Sequence, residues 1–253
     1  TVLDIGCNDG TLLKNYPSNF KKYGIDPSDV MLDIKDIDTV QDIFPSIELE
    51  TKLNGIKINI ITSIAMFYDL EDPIIFVQSI SKILSKNGLW IFEMSYMPEM
   101  LKNNSYDTIC HEHLEYYSFT VIEKLLKKAN LKIIKVSFND INGGSMRCHA
   151  THSDNFDFEN RENNLEIIQI RKQEFDLKLD TDEPYKNFQE RINKHKEKLL
   201  NTLMKIKKEG KSIHVYGAST KGNTILQWCG IDNKIIDYAS DRNPDKDGAL
   251  TLG

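Results

Sequence analysis

Cys110-His111-Glu112-His113-Leu114-Glu115-Tyr116-Tyr117 crowds two imidazoles and a carboxylate within three residues. Three chemistries compete for such a group. A zinc site of the His-Glu-x-x-His kind sets two histidines one helical turn apart. Here the spacing is His-x-His, with no third ligand in view, which argues against zinc. Imidazoles bonded to backbone in a loop would be plain structure. A histidine that titrates near neutral pH can instead take a proton from carbon or oxygen. Glu112 or Glu115 would then orient it or stabilise its cation. The location favours acid–base work. A strand-like segment, Leu89 to Ser95, ends shortly before the cluster. In open α/β sheets, sites form beyond the carboxyl ends of strands.

The surrounding pattern supplies such strands. Val2 to Gly6 reads as a buried strand and Thr11 to Tyr16 as the start of a helix. Tyr23 to Pro27 is a short strand closed by a turn, and a third strand falls somewhere in Asp33 to Leu53. Lys57 to Ser63 is an Ile-rich strand. Asp72 to Leu84 has helical spacing at Ile75, Phe76, Ser79, Ile80 and Ile83. Gly88 to Ser95 is another strand, and Thr120 to Asn130 a helix with Leu125 and Leu126 inward. Leu131 to Phe138 and Ser145 to His152 form a closing hairpin. This alternation predicts an α/β fold, a mostly parallel sheet covered on both faces. After Ser153 the chain is charged and polar until a long amphipathic helix, from Pro184 to Gly210. Phe188, Ile192, Leu199, Leu203 and Ile206 share one of its faces. Ser212 to Gly217, Gly222 to Cys229 and Lys234 to Ala239 then read as the first βαβ unit of a second α/β domain. The expected divisions are 1–153, a connector over 154–211, and 212–253.

Composition narrows the partners. The net charge of −6 over 253 residues argues against a nucleic-acid footprint, which needs a basic face. Lysines between Lys194 and Lys211 alternate with glutamates, as on a solvated helix face. No apolar run approaches the ~20 residues of a membrane helix, and no signal peptide is apparent. Cys7, Cys110, Cys148 and Cys229 are widely spaced and fit free thiols in a reducing, cytoplasmic setting. The chain opens without Met inside a strand and stops after a turn-rich Asp241 to Asp245. It is expected to be a piece of a longer protein.

The turn Asp4-Ile5-Gly6-Cys7-Asn8-Asp9-Gly10 joins a strand to a helix. Gly6 and Gly10 allow a tight turn and close approach of a ligand. A dinucleotide site has such a turn too, but Asp4 and Asp9 would repel a pyrophosphate. S-adenosylmethionine (SAM) has no phosphate and carries a sulfonium and an ammonium, which favour acidic surroundings. Asp26 ends the second strand, where a carboxylate can accept both ribose hydroxyls. The order strand, acidic glycine turn, helix, strand, acid resembles the class I SAM-dependent methyltransferases. Asn8 replaces the middle glycine of their usual pattern. The resemblance implies a Rossmann-like domain with SAM at Asp4, Gly6, Asn8, Gly10 and Asp26, and at Ser63 after the fourth strand.

The segment Asp107 to Tyr117 resembles the signature of the sugar C-methyltransferases, which methylate carbon in nucleotide-linked keto-deoxysugars. Glu93-Met94-Ser95-Tyr96 resembles the segment ending their fifth strand, and Asn142 to Arg147 their Gly-Gly-Ser-x-Arg hairpin. Tyr216 to Thr224 resembles the opening of their carboxyl-terminal domain, and Ser240 to Pro244 fits the next stretch of that domain. The resemblance implies C-methylation beside a ketone, by removal of the α-proton and methyl transfer to the enolate. His113 would be the base, with Glu112 orienting or polarising it. Tyr96, Cys110, Tyr117, Gly144, Arg147 and Lys221 would face the nucleotide sugar. Zinc would belong only to an amino-terminal domain with paired cysteines, which would precede Thr1. Two departures stand out. Cys110 takes the place of a family tyrosine, and the turn Ser63 to Tyr68 lacks the usual asparagine. They keep open O- or N-methylation of another small metabolite, or a nucleotide-sugar or SAM-binding role without turnover.

Overall fold

The computed structural model describes residues 1–33, 36–158 and 160–251. In chain order the strands are β1 (Val2–Ile5), β2 (Lys22–Ile25), β3 (Asp38–Val40), β4 (Ile58–Ile64), β5 (Leu84–Ser95), β6 (Leu131–Asn139), β7 (Ser145–His152), β8 (His214–Tyr216) and β9 (Tyr238–Ser240). The helices are α1 (Thr11–Lys14), α2 (Ile47–Leu53), α3 (Pro73–Ile83), α4 (Met97–Asn103), α5 (Phe119–Lys127), α6 (Arg161–Asp176), α7 (Glu183–Lys208) and α8 (Thr220–Cys229). Local chemistry sets several of the starts. The Asp72 carboxylate accepts from the Ile74 and Ile75 amides ahead of α3, whose first residue is Pro73. Ser46 does the same for α2 through the Leu49 amide.

The described residues divide into two compact units, Thr1–Met97 with Leu114–Leu177, and Pro98–His113 with Lys178–Gly253. The first holds a sheet of order β3-β2-β1-β4-β5-β7-β6. Its strands run parallel from β3 to β5, and β7 is antiparallel to both β5 and β6. Strand order reverses at β1, which has β2 on one side and β4 on the other. The carboxyl ends of β1 and β4 therefore splay connections apart and leave room for a ligand.

Every residue of β1 is buried. Its pleat sends Leu3 and Ile5 into the main core with Ile61, Phe67, Phe76, Trp90 and Phe92, and Val2 into a smaller one with Cys7, Leu13 and Met31. The expected cover on both faces holds at β1 and thins along the sheet. On β5 and β7, Trp90, Phe92, Cys148 and Ala150 are buried, whereas Ile91 and His149 are half-buried and Arg147 is exposed.

In the second unit, Arg191 on α7 donates to Asn104 Oδ1 at 2.8 Å and to the Leu101 carbonyl. β8 and β9 pair in parallel, joined through α8. The structure adds one element and corrects one expectation. The charged and polar stretch before the long helix holds the 16-residue α6, which was not anticipated. The last strand is Tyr238–Ser240, not Lys234 to Ala239. No described helix is long and apolar enough to cross a membrane.

Candidate functional site

The turn after β1 is built from left-handed backbone. Gly6, Asn8 and Gly10 have φ of 75°, 47° and 72°. Asparagine tolerates this region better than most residues, which accounts for Asn8 in place of glycine. A Cβ on Gly6 would stand 3.4 Å from Met66 Cγ, so the turn is also closely approached from the β4 side. The Asn8 amide donates to Asp26 Oδ2 at 2.9 Å, tying the turn to the end of β2. Asp26 also accepts from the amide (2.9 Å) and hydroxyl (2.5 Å) of Ser28. Partial burial raises its pKa, but these hydrogen bonds outweigh burial and hold the carboxyl below its usual range.

Asp4, Gly6, Asn8, Asp9, Tyr16, Thr62, Ile64, Arg147 and His149 are among the residues lining a cavity of about 700 Å³. Asp4 is the unusual member. It is 4% exposed, and burial pushes its pKa up to about 7 against the lowering effect of the Thr62 hydroxyl, which donates to it at 2.5 Å. Asp26 adds a smaller raising effect. An acid poised near neutrality in such a cavity suits a ligand that brings positive charge. A nucleoside bearing a sulfonium and an ammonium has the charge that this acidic lining favours. The Cys7 thiol, pushed up to about 12 by burial first and by Asp4 and Asp26 second, is inert packing.

Ser63, assigned from sequence to the cofactor, is fully buried and accepts from the Trp90 indole at 3.0 Å. Its neighbour Thr62 faces the cavity instead. Sequence reasoning also missed Tyr16 and His149. The His149 imidazole is biased toward its neutral form by burial, then by Lys135 and Arg147. His149 is visible only once the sheet register sets it opposite Ile91, and Tyr16 only once the turn after α1 is placed.

Arg147 pairs across strands with Glu93, Nε to Oε2 at 2.6 Å, with Glu93 buried and the arginine about half exposed. Arg147→Ala would leave that carboxylate without its cation. We expect a stability loss of ~2 kcal/mol in urea denaturation, mostly recovered when Glu93→Gln is added. Gly144 has φ of 126°, and its carbonyl accepts from the Tyr96 amide at 3.0 Å. The Tyr96 side chain is buried, with its hydroxyl on Glu174 at 2.8 Å. Tyr117 is buried against Phe67, with ring centroids 5.4 Å apart and no hydrogen-bond partner for its hydroxyl. Burial first and Glu115 second raise its pKa. Because no bond is lost, Tyr117→Phe is expected to keep or raise stability, by up to about 1 kcal/mol, as read from thermal unfolding.

The histidine cluster belongs to the second unit. His113 Nδ1 lies 2.8 Å from the Thr108 carbonyl oxygen. A carbonyl only accepts, so Nδ1 carries the proton, and a neutral ring keeps its lone pair on Nε2. The His113 amide donates to the Cys110 carbonyl at 3.2 Å, closing a tight turn. His111 and Glu112 are exposed, whereas Cys110 and His113 are half-buried. Lys221 lies in the first turn of α8, where the Ser219 hydroxyl accepts from the Gly222 amide at 3.2 Å. Among the described residues, no group of three His, Cys, Asp or Glu side chains could hold a metal ion.

Residues 1–136 match the family described as methyltransferase domain, and residues 140–253 the C-methyltransferase C-terminal domain. The C-methyltransferase NovU of Streptomyces niveus is 27% identical over 177 residues, covering 70% of this chain and 41% of NovU. The chain thus spans about two fifths of that relative's length. Among solved structures, an S-adenosylmethionine-dependent methyltransferase from Clostridium acetobutylicum is similar at 16% identity and a TM-score of 0.48, over 60% of this chain and 83% of that one. A Pyrococcus horikoshii protein is similar at 14% identity and a TM-score of 0.47, over 60% and 81%. The methyltransferase domain over more than half of the chain, followed by a C-methyltransferase C-terminal domain, means that the chain belongs to the SAM-dependent C-methyltransferase family.

Proposed function

We propose that the protein methylates carbon next to the ketone of a nucleotide-linked keto-deoxysugar, with His113 as the base. The observation that carries this reading is the bond from His113 Nδ1 to the Thr108 carbonyl. It supports the tautomer protonated on Nδ1, whose Nε2 would serve as the proton acceptor, in the segment that carries the family signature. Asp4, Gly6, Asn8 and Asp26 would hold SAM, which supplies an electrophilic methyl group when bound. His113 Nε2 takes the α-proton of the ketone, and the electron pair of the broken C–H bond is held as the enolate. Glu112 polarises the histidine. The enolate carbon then takes the methyl group, leaving a neutral thioether. Gly144 attends the nucleotide sugar, and Arg147 joins it from its pairing with Glu93.

The test is incubation with SAM and a panel of keto-sugar nucleotides, with products read by mass spectrometry and NMR. A new C–CH3 signal beside the ketone is the expected result. A methyl on oxygen or nitrogen, or tight SAM binding with no transfer to any member of the panel, would overturn it.

A further inference from the structure

Residues 98–113, which carry the histidine cluster, are an excursion from the first unit. The chain leaves after Met97 and returns at Leu114. Both crossings are held within the first unit. The Met97 amide donates to the Tyr117 carbonyl at 2.9 Å. Just before the exit, the Tyr96 hydroxyl donates to Glu174 Oε1 at 2.8 Å. Just after the return, the Phe119 amide donates to the same oxygen at 2.6 Å and the Thr120 amide to Oε2 at 2.9 Å. Glu174 lies on α6 and is 3% exposed. Ser118, at the head of α5, makes no capping bond of its own, so the carboxyl from α6 does the capping.

A buried carboxyl spent on three donors needs a reason, because an apolar side chain would cost less to bury. Two of the donors open α5, and the third lies on the other side of the excursion. A cap alone would need only the two amides. We propose that Glu174 is a positioning residue, which fixes the two ends from which residues 98–113 leave and return and so holds the segment that carries the base. This rests on the reading of His113 as the base. A misplacement of about 1 Å, arising far from the reacting atoms, can cost roughly 10²-fold in rate. A partial loss of the clamp should therefore appear in kcat.

Two variants of the full chain test this. In Glu174→Gln one oxygen becomes an NH2 group facing an amide donor. In Tyr96→Phe only the hydroxyl is lost. Ser46→Ala, which removes the buried cap of α2, is the control for destabilisation alone. Turnover is measured with SAM and the same panel of keto-sugar nucleotides, beside His113→Ala, SAM affinity by calorimetry and thermal unfolding. We expect kcat to fall about tenfold in Glu174→Gln and about threefold in Tyr96→Phe, with KM and SAM affinity within about twofold of wild type. Ser46→Ala should keep its kcat. Wild-type kcat in Tyr96→Phe and in any folded Glu174→Gln, with His113→Ala inactive, overturns the positioning role and spares the base. A raised KM with unchanged kcat in Tyr96→Phe overturns it too, by assigning the hydroxyl to substrate. If Glu174→Gln does not fold, Tyr96→Phe decides. Full activity in His113→Ala, or no turnover by wild type, defeats the reading beneath the proposal and the proposal with it.

Discussion

Replacing His113 by alanine is expected to cut methyl transfer ~10²–10⁴-fold, the usual worth of a positioned base, while leaving SAM affinity within about twofold. The separation follows from the different roles proposed for the residues. Asp4, Gly6 and Asn8 line the cavity of the first unit, and Asp26 is bonded to the same turn. His113 is held by Thr108 and Cys110 in the second. A readout that isolates the base is washout of the substrate's α-proton into D2O, with S-adenosylhomocysteine in place of SAM. Washout should vanish in His113→Ala. Washout at the wild-type rate would remove His113 from the mechanism, whatever happened to turnover.

Asp4→Asn is expected to act in opposite senses on stability and on cofactor binding. The folded-state pKa is about 7, against 3.8 for a free aspartate. A raised pKa means that the folded chain holds a proton the unfolded chain releases. Its stabilising effect is complete below about pH 4 and is lost progressively up to about pH 7. Above that, ionising Asp4 in place costs on the order of 4 kcal/mol. The asparagine variant should show no such decline, so its advantage in urea denaturation grows from pH 4 to 7 and then levels. If SAM occupies the proposed site, its binding should reverse the preference, because cations beside a carboxylate favour the ionised form. Wild-type affinity should fall by up to about tenfold per unit as pH drops below 7, and the variant should bind roughly tenfold more weakly with a flatter profile. Calorimetry across pH 5 to 8 checks both. Equal affinities at pH 8 would mean that Asp4 does not meet the cofactor's charge.

How much of this was legible in the sequence depended on what each residue had to do. Ile-rich β4 and the acidic glycine turn declared themselves, because apolar runs and glycines answer to local rules. The choice between Thr62 and Ser63 did not, because adjacent residues on a strand face opposite sides. Only the register, with Thr62 opposite Asp4, decides which one reaches the cavity. Helix α6 was hidden for a related reason. Of its apolar residues, Ile167 and Ile170 are buried while Leu165, Ile168 and Phe175 are exposed, so no clean stripe forms. Its other buried residue, Glu174, is of a type that usually marks solvent. Tyr96 was read as a substrate contact because the resemblance implied it. Its hydroxyl bonds to Glu174, 78 positions along the chain, which no local pattern reveals.

The placement of β7 between β5 and β6 has a consequence for synthesis on the ribosome. As the chain emerges, β5 finds its first neighbour, β4, already made. Its other edge stays open until the excursion, α5 and β6 have all been translated. During that interval a long strand with Trp90 and Phe92 on its inner face presents unpaired amides and carbonyls, the condition under which nascent sheets pair with the wrong partner. When β7 arrives it must slot in antiparallel and in a single register, Glu93 opposite Arg147. That ion pair then serves as an alignment mark. A one-residue slip would turn Arg147 toward the side that Cys148 and Ala150 occupy, where a guanidinium has no place.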